Sequence, residues 1–135
     1  MINVLAADHV WQSVRLVPWV SIPQFYPANK QMIQHPKCKI TVIKRSLNQD
    51  IIDGYMKKEM KNSNLCSTFK EGNEFLVYSE FQMPENFCHW AWADIRKDII
   101  AIINGAQFPW FAEKGMTISG CTDWFKPVLF KIEKL

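Results

Sequence analysis

Glycine is scarce in this chain. Its 135 residues include only five, and they form no phosphate-cradling loop; Lys70-Glu71-Gly72-Asn73 reads as a hairpin-type turn. The four cysteines, at positions 38, 66, 88 and 121, contain no C-x-x-C pair, so the signature of a zinc ribbon or a thioredoxin-type motif is missing. Ser46, Ser67 and Ser119 lack a G-x-S-x-G context, which leaves no nucleophile elbow. The histidines, His9, His35 and His89, are scattered. No segment approaches the roughly 18 consecutive apolar residues of a bilayer span. Residues 1–6 carry no basic side chain, and Asp8, His9 and Gln12 interrupt any apolar run, so no secretory leader is expected. A reducing, cytoplasmic location follows, with thiols free or metal-bound rather than paired.

Charge excludes little. The net charge is +3. Residues 37–72 hold eight basic against four acidic side chains, and residues 73–135 six against eight. The basic half has no arginine-rich cluster and few aromatics among its lysines, both of which a nucleic-acid groove would use. It reads as a solvated face. Neither a nucleic acid nor a membrane is an expected partner.

Aromatic residues are plentiful at 13%, with six tryptophans, and the length suffices for one domain with a real core. Residues 1–37 read as an irregular apolar arm. Pro18, Pro23, Pro27 and Pro36 are too dense for a long helix, though one short helix fits near Ala7–Val14. Trp11, Trp19, Phe25 and Tyr26 need cover, from the domain or from a partner. The arm is therefore the candidate surface for a protein partner or for self-association.

Residues 38–135 read as a regular domain. Strand propensity over Lys39–Lys44 puts Ile40 and Val42 on one face. Asn48 is the expected cap of a helix running to about Met60. A strand over Glu74–Tyr78 follows the turn at Gly72. Asn86 is the expected cap of a long helix ending at Gly105. Its apolar face comprises Cys88, Ala91, Trp92, Ile95, Ile99, Ile102 and Ile103. Met116–Cys121 and Pro127–Lys134 are the last strands, with Val128, Phe130 and Ile132 pointing one way. The β-α-β-α-β-β order predicts an α+β fold, a small and mainly antiparallel sheet with two helices packed on one face.

Three cysteines fall at element ends. Cys66 precedes a turn, Cys88 opens the long helix and Cys121 closes a strand. A thiolate at Cys88 would face the free N–H groups of the helix terminus. With Asp123 or His89 as neighbour, Cys66, Cys88 and Cys121 make a candidate tetrahedral site for zinc or iron. The competing expectation is packing, because cysteine is also a small buried hydrophobe. Asp94 and Asp98 lie one turn apart opposite the apolar face and read as solvated.

Residues 39–135 also resemble a short, uncharacterised repeat-protein family of anaerobic bacteria and archaea. The matching pieces are Ile40-Thr41-Val42-Ile43-Lys44, Cys66 with Phe69-Lys70-Glu71-Gly72 and Phe75, and Pro84-Glu85 with Phe87-Cys88. They continue with Ala91-Trp92, Ile95, Cys121 with Asp123, and Pro127-Val128 with Phe130-Lys131. The resemblance implies a small cytosolic domain, sometimes in tandem copies, and no assigned activity. The chain departs from the pattern at Ser67, where the family has proline, and at Trp124, where it has glycine. Two functional expectations result. One is a non-catalytic binding or accessory domain; the other is a thiol-dependent site, with a Cys-ligated metal or a redox-active Cys88.

Overall fold

The computed structural model describes residues 35–79 and 82–135. The expected arm, with its short helix near residues 7–14, falls outside them except for residues 35–37. Four strands form one sheet: β1 (Cys38–Arg45), β2 (Glu74–Val77), β3 (Met116–Gly120) and β4 (Val128–Lys134), in the order β2-β1-β4-β3. Every pairing is antiparallel. Helix α1 (Gln49–Tyr55) follows β1, and helix α2 (His89–Ile103) lies between β2 and β3. The α+β fold and the order of its elements are as the sequence predicts.

Side-chain alternation assigns the faces of the sheet. Cys38, Ile40 and Val42 in β1 and Val128, Phe130 and Ile132 in β4 are all buried. One row of the register shows how the layer is built, because Phe75, Ile40, Ile132 and Thr117 stand side by side across the four strands. The opposite face is polar at its centre. There Lys39 pairs with Glu74 at 3.1 Å and Glu133 at 3.6 Å, and Lys131 pairs with Glu133 at 2.9 Å. The register shifts between Val42 and Lys44, a bulge at Ile43. Across that bulge the Gly72 N–H donates to the Val42 carbonyl, and the Val42 N–H donates to the Asn73 carbonyl. The turn at Gly72 is thereby tied to the middle of β1.

Helix α2 packs on β1, β3 and β4 and buries Ala91, Trp92, Ile95, Ile99 and Ile102, the face its 3.6-residue period marks out. Its C-terminus is as expected, with Gly105 at φ +89° just beyond it. Its start is not. The N-cap is Cys88 rather than Asn86, and Asn86 adopts a left-handed φ of 60°. The cause is Phe87. A turn closed by the Phe87 N–H to the Pro84 carbonyl drives this ring into the core. It packs 4.9 Å from Phe75, 5.0 Å from Phe69 and 5.6 Å from Phe130. Burying an aromatic ring outweighs two more residues of helix.

Helix α1 is also shorter than expected. It stops at Tyr55, and a separate 3₁₀ turn covers Lys58–Met60. Only Ile52 is buried along it, and Tyr55 is exposed, so no apolar stripe extends the helix, while Gly54 weakens it. Asn48 is the N-cap by position, but its side chain makes no capping bond. Its Nδ2 donates instead to the Trp124 carbonyl at 2.7 Å, and its backbone N–H donates to the Phe125 carbonyl. The residue anchors a distant loop. Among the described residues, no helix is long and apolar enough to cross a membrane.

Candidate functional site

Cys66, Cys88 and Cys121 line one cavity of about 160 Å³. Each comes from a different element: the loop before the Gly72 turn, the N-cap of α2 and the residue after β3. All three are half-buried and rest on the core from its edge. Phe69 and Ala91 supply apolar wall, while Ser67, Thr68, Asp123 and Lys126 add polar groups.

Each cysteine is held by backbone contacts that sequence spacing does not reveal. The Arg45 guanidinium donates to the Cys66 carbonyl at 3.0 Å, and the Arg45 N–H donates to the Glu71 carboxylate at 2.8 Å. This fixes the Cys66 loop against the end of β1. Cys88 is fixed by α2 itself, since its carbonyl accepts the Trp92 N–H at 2.9 Å. The Cys121 sulfur accepts the Val128 N–H at 3.3 Å, and the Cys121 N–H donates to the Val128 carbonyl. Beside it, Gly120 is tightly packed: a Cβ there would lie 3.1 Å from the Val128 carbonyl oxygen and 2.9 Å from Leu129 Cδ2, so backbone and side chain would both have to shift.

The loop after Cys121 carries the second half of the site. Asp94, far from being merely solvated, accepts both the Thr122 N–H at 2.7 Å and the Thr122 hydroxyl at 2.9 Å on one oxygen. That hydroxyl in turn accepts the Trp90 indole N–H at 2.8 Å. Trp90 and Asp94, one turn apart on α2, thus clamp the loop and orient the indole at the mouth of the cavity. Asp98 makes a parallel tie by accepting the Ser119 hydroxyl at 2.5 Å. Asp123 Oδ1 accepts the backbone N–H groups of Phe125 and Lys126, both at 3.1 Å. Among the described residues, only Asn86 and glycines have positive φ. Trp124 therefore occupies its turn position without needing the left-handed freedom of glycine.

Asp94→Ala should cost about 1 kcal/mol, because the bonds it removes are solvent-accessible. It should also release Trp90. Urea unfolding with the Trp90 indole NMR signal reads both effects, and an unmoved signal would refute the clamp.

The expected neighbours separate. Asp123 lies in the cavity wall, whereas His89 is exposed and is not part of that wall. Among the described residues, no group of three or more His, Cys, Asp and Glu side chains is arranged to hold a metal ion. The zinc or iron site expected from the sequence has no preformed ligand set there. Lys126 and the hydrogen bonds of the Trp90 clamp escape sequence reasoning, since no period or spacing marks them, whereas helix spacing sets Trp90 off the core face, and it lines the cavity.

The fourth cysteine is of another kind. Cys38 is fully buried in the core, and its thiol is pushed up to about 12, first by burial and then by the nearby Glu133 carboxylate. It stays a neutral packing group at physiological pH. Comparisons with protein-family models, curated proteins and solved structures give no match to this chain.

Proposed function

We propose that this is a non-catalytic binding or accessory domain whose ligand site is the three-cysteine cavity. The observation that carries this reading is the convergence of Cys66, Cys88 and Cys121, from three separate elements, on one cavity. Thiols that served packing alone would sit like Cys38, fully enclosed. These three keep one side open to a space that holds a ligand of about benzene size, with Lys126 and Asp123 at hand to orient it. The resemblance to the repeat-protein family fits this reading, because the cysteines among its matching residues are the three in the cavity. A reducing compartment belongs to the proposal, since the cavity cysteines are free.

The thiol-dependent alternative is a Cys-ligated metal or a redox-active Cys88. One experiment separates the readings: metal content and native thiol titration of protein purified and handled anaerobically. Three reactive thiols without stoichiometric zinc or iron support the binding cavity. Stoichiometric metal would move the function to a metal centre. Four slow-reacting thiols would reduce all the cysteines to packing.

A further inference from the structure

Beside the thiol cavity lies a second cleft, of about 460 Å³, lined by Trp90, Thr122, Asp123, Trp124 and Phe125. Its two indoles are among the most exposed large apolar groups of the domain, Trp90 at 65% and Trp124 at 68%. Two exposed indoles lining one cleft with Phe125 form a contiguous aromatic patch, the kind of exposure that marks an interaction site. One ring is held directly and the other only through its backbone. The Trp90 ring is tied through its N–H to Thr122, and Thr122 to Asp94. The Trp124 backbone is tied through its carbonyl to Asn48. Preorganised aromatic groups lose little freedom on binding, which favours recognition over chance exposure.

Charge selects the occupant. The lining contains one carboxylate, Asp123, and no basic side chain. Asp123 Oδ1 is used by the turn it caps, which leaves Oδ2 outside that turn. Asp94, behind Thr122, adds a second negative charge close by. Lys126 lines the neighbouring thiol cavity together with Asp123 and Trp90, and it is not part of the lining of this cleft. Aromatic faces carry negative potential and attract cations, most readily those that shed water easily. An anion would meet Asp123 unfavourably, and a neutral ring would gain nothing from its charge.

We propose that this cleft binds a small organic cation bearing a quaternary ammonium group, with Trp90, Trp124 and Phe125 as the aromatic walls and Asp123 as the counter-charge. The volume suits a small molecule. The inference stands on the outer cleft and not on the thiols, so it survives if the cysteines prove inert.

The test is a titration of the full chain with choline and with its neutral isostere 3,3-dimethylbutan-1-ol, read from the indole ¹H–¹⁵N signals. Trp124→Phe assigns the Trp124 signal. Choline should shift the Trp90 and Trp124 signals saturably and bind at least about tenfold more tightly than the isostere, the discrimination a cation–π site with a counter-charge supplies. Asp123→Asn keeps an oxygen for the Phe125 and Lys126 N–H groups but loses the charge. It should weaken choline severalfold and leave the isostere unchanged. Equal binding of the two ligands, shifts confined to other tryptophans, or no saturable shift with choline would each overturn the proposal.

Discussion

Phe69→Ala is expected to destabilise the domain by about 3–5 kcal/mol, the range for deleting a buried phenylalanine ring. Phe69 is 1% exposed and stands at the centre of an aromatic cluster. Its ring meets Phe75 edge-on at 5.8 Å, Phe130 edge-on at 5.2 Å and Phe87 at a tilt at 5.0 Å. Those rings come from β2, β4 and the turn before α2, so one side chain joins three parts of the chain. Phe69 is also a wall of the thiol cavity. Its removal should therefore do two things at once, lowering the urea midpoint and widening the space beside Cys66 and Cys88. Faster alkylation of those thiols in the still-folded variant would register the second effect. A stability loss below about 1 kcal/mol would mean that Phe69 is not at the centre of the core, because surface changes alone fall in that range.

Cys38 should make the protein lose stability in alkali. The thiol rises from its ordinary 9.0 to about 12 in the folded state. Between those values the unfolded chain releases a proton that the folded chain retains, so stability falls as pH rises. Below pH 9 the contribution of Cys38 is fully present. By about pH 12 it is lost, a change of about 4 kcal/mol at the usual conversion for each pH unit. The other thiols and the lysines ionise in the same range, so the slope of stability against pH must be compared with that of Cys38→Val, which lacks this one titrating group and whose packing change does not depend on pH. Urea unfolding from pH 8 to 11 should show the wild type losing stability more steeply than the variant. Parallel curves would show that the Cys38 thiol ionises alike in the folded and unfolded chains.

The parts of the fold that the sequence foretells are those governed by periodicity. The inward faces of β1, β4 and α2 repeat every two or 3.6 residues, and burial follows the same pattern at Ile40, Val42, Ile95, Ile99, Phe130 and Ile132. Isolated residues are harder to place. Phe69 and Phe87 are single aromatics in loops, with no repeat to mark them as core, and burial of Phe87 is what shifts the start of α2 from Asn86 to Cys88. Asn48 keeps its predicted position but spends its side chain on a loop 76 residues away. Asp94 and Asp98 look like a solvated pair because their partners, Thr122 and Ser119, belong to another element.

For the site, cysteines at three element ends were enough to nominate Cys66, Cys88 and Cys121. The sheet order β2-β1-β4-β3 is not legible in the sequence, and it is that order, with α2 packed on β3, β4 and β1, that brings those ends together. Lys126 and the Trp90 clamp follow from that packing alone.

The claim on which the functional reading rests is that three thiols share one small space while the fourth is sealed. Intact-mass analysis of native protein treated with two thiol reagents tests it most directly, one reagent as small as methyl methanethiosulfonate and the other a bulky dye-maleimide. The small reagent should add three times, at Cys66, Cys88 and Cys121, and spare Cys38 until the protein is denatured. The bulky one should add once, because it is far too large to enter a cavity of about 160 Å³ and the first adduct covers the opening and blocks the other sulfurs. Three independent bulky adducts would place the thiols on separate surfaces. No native labelling by either reagent would leave them as packing groups, and either result would contradict the shared cavity.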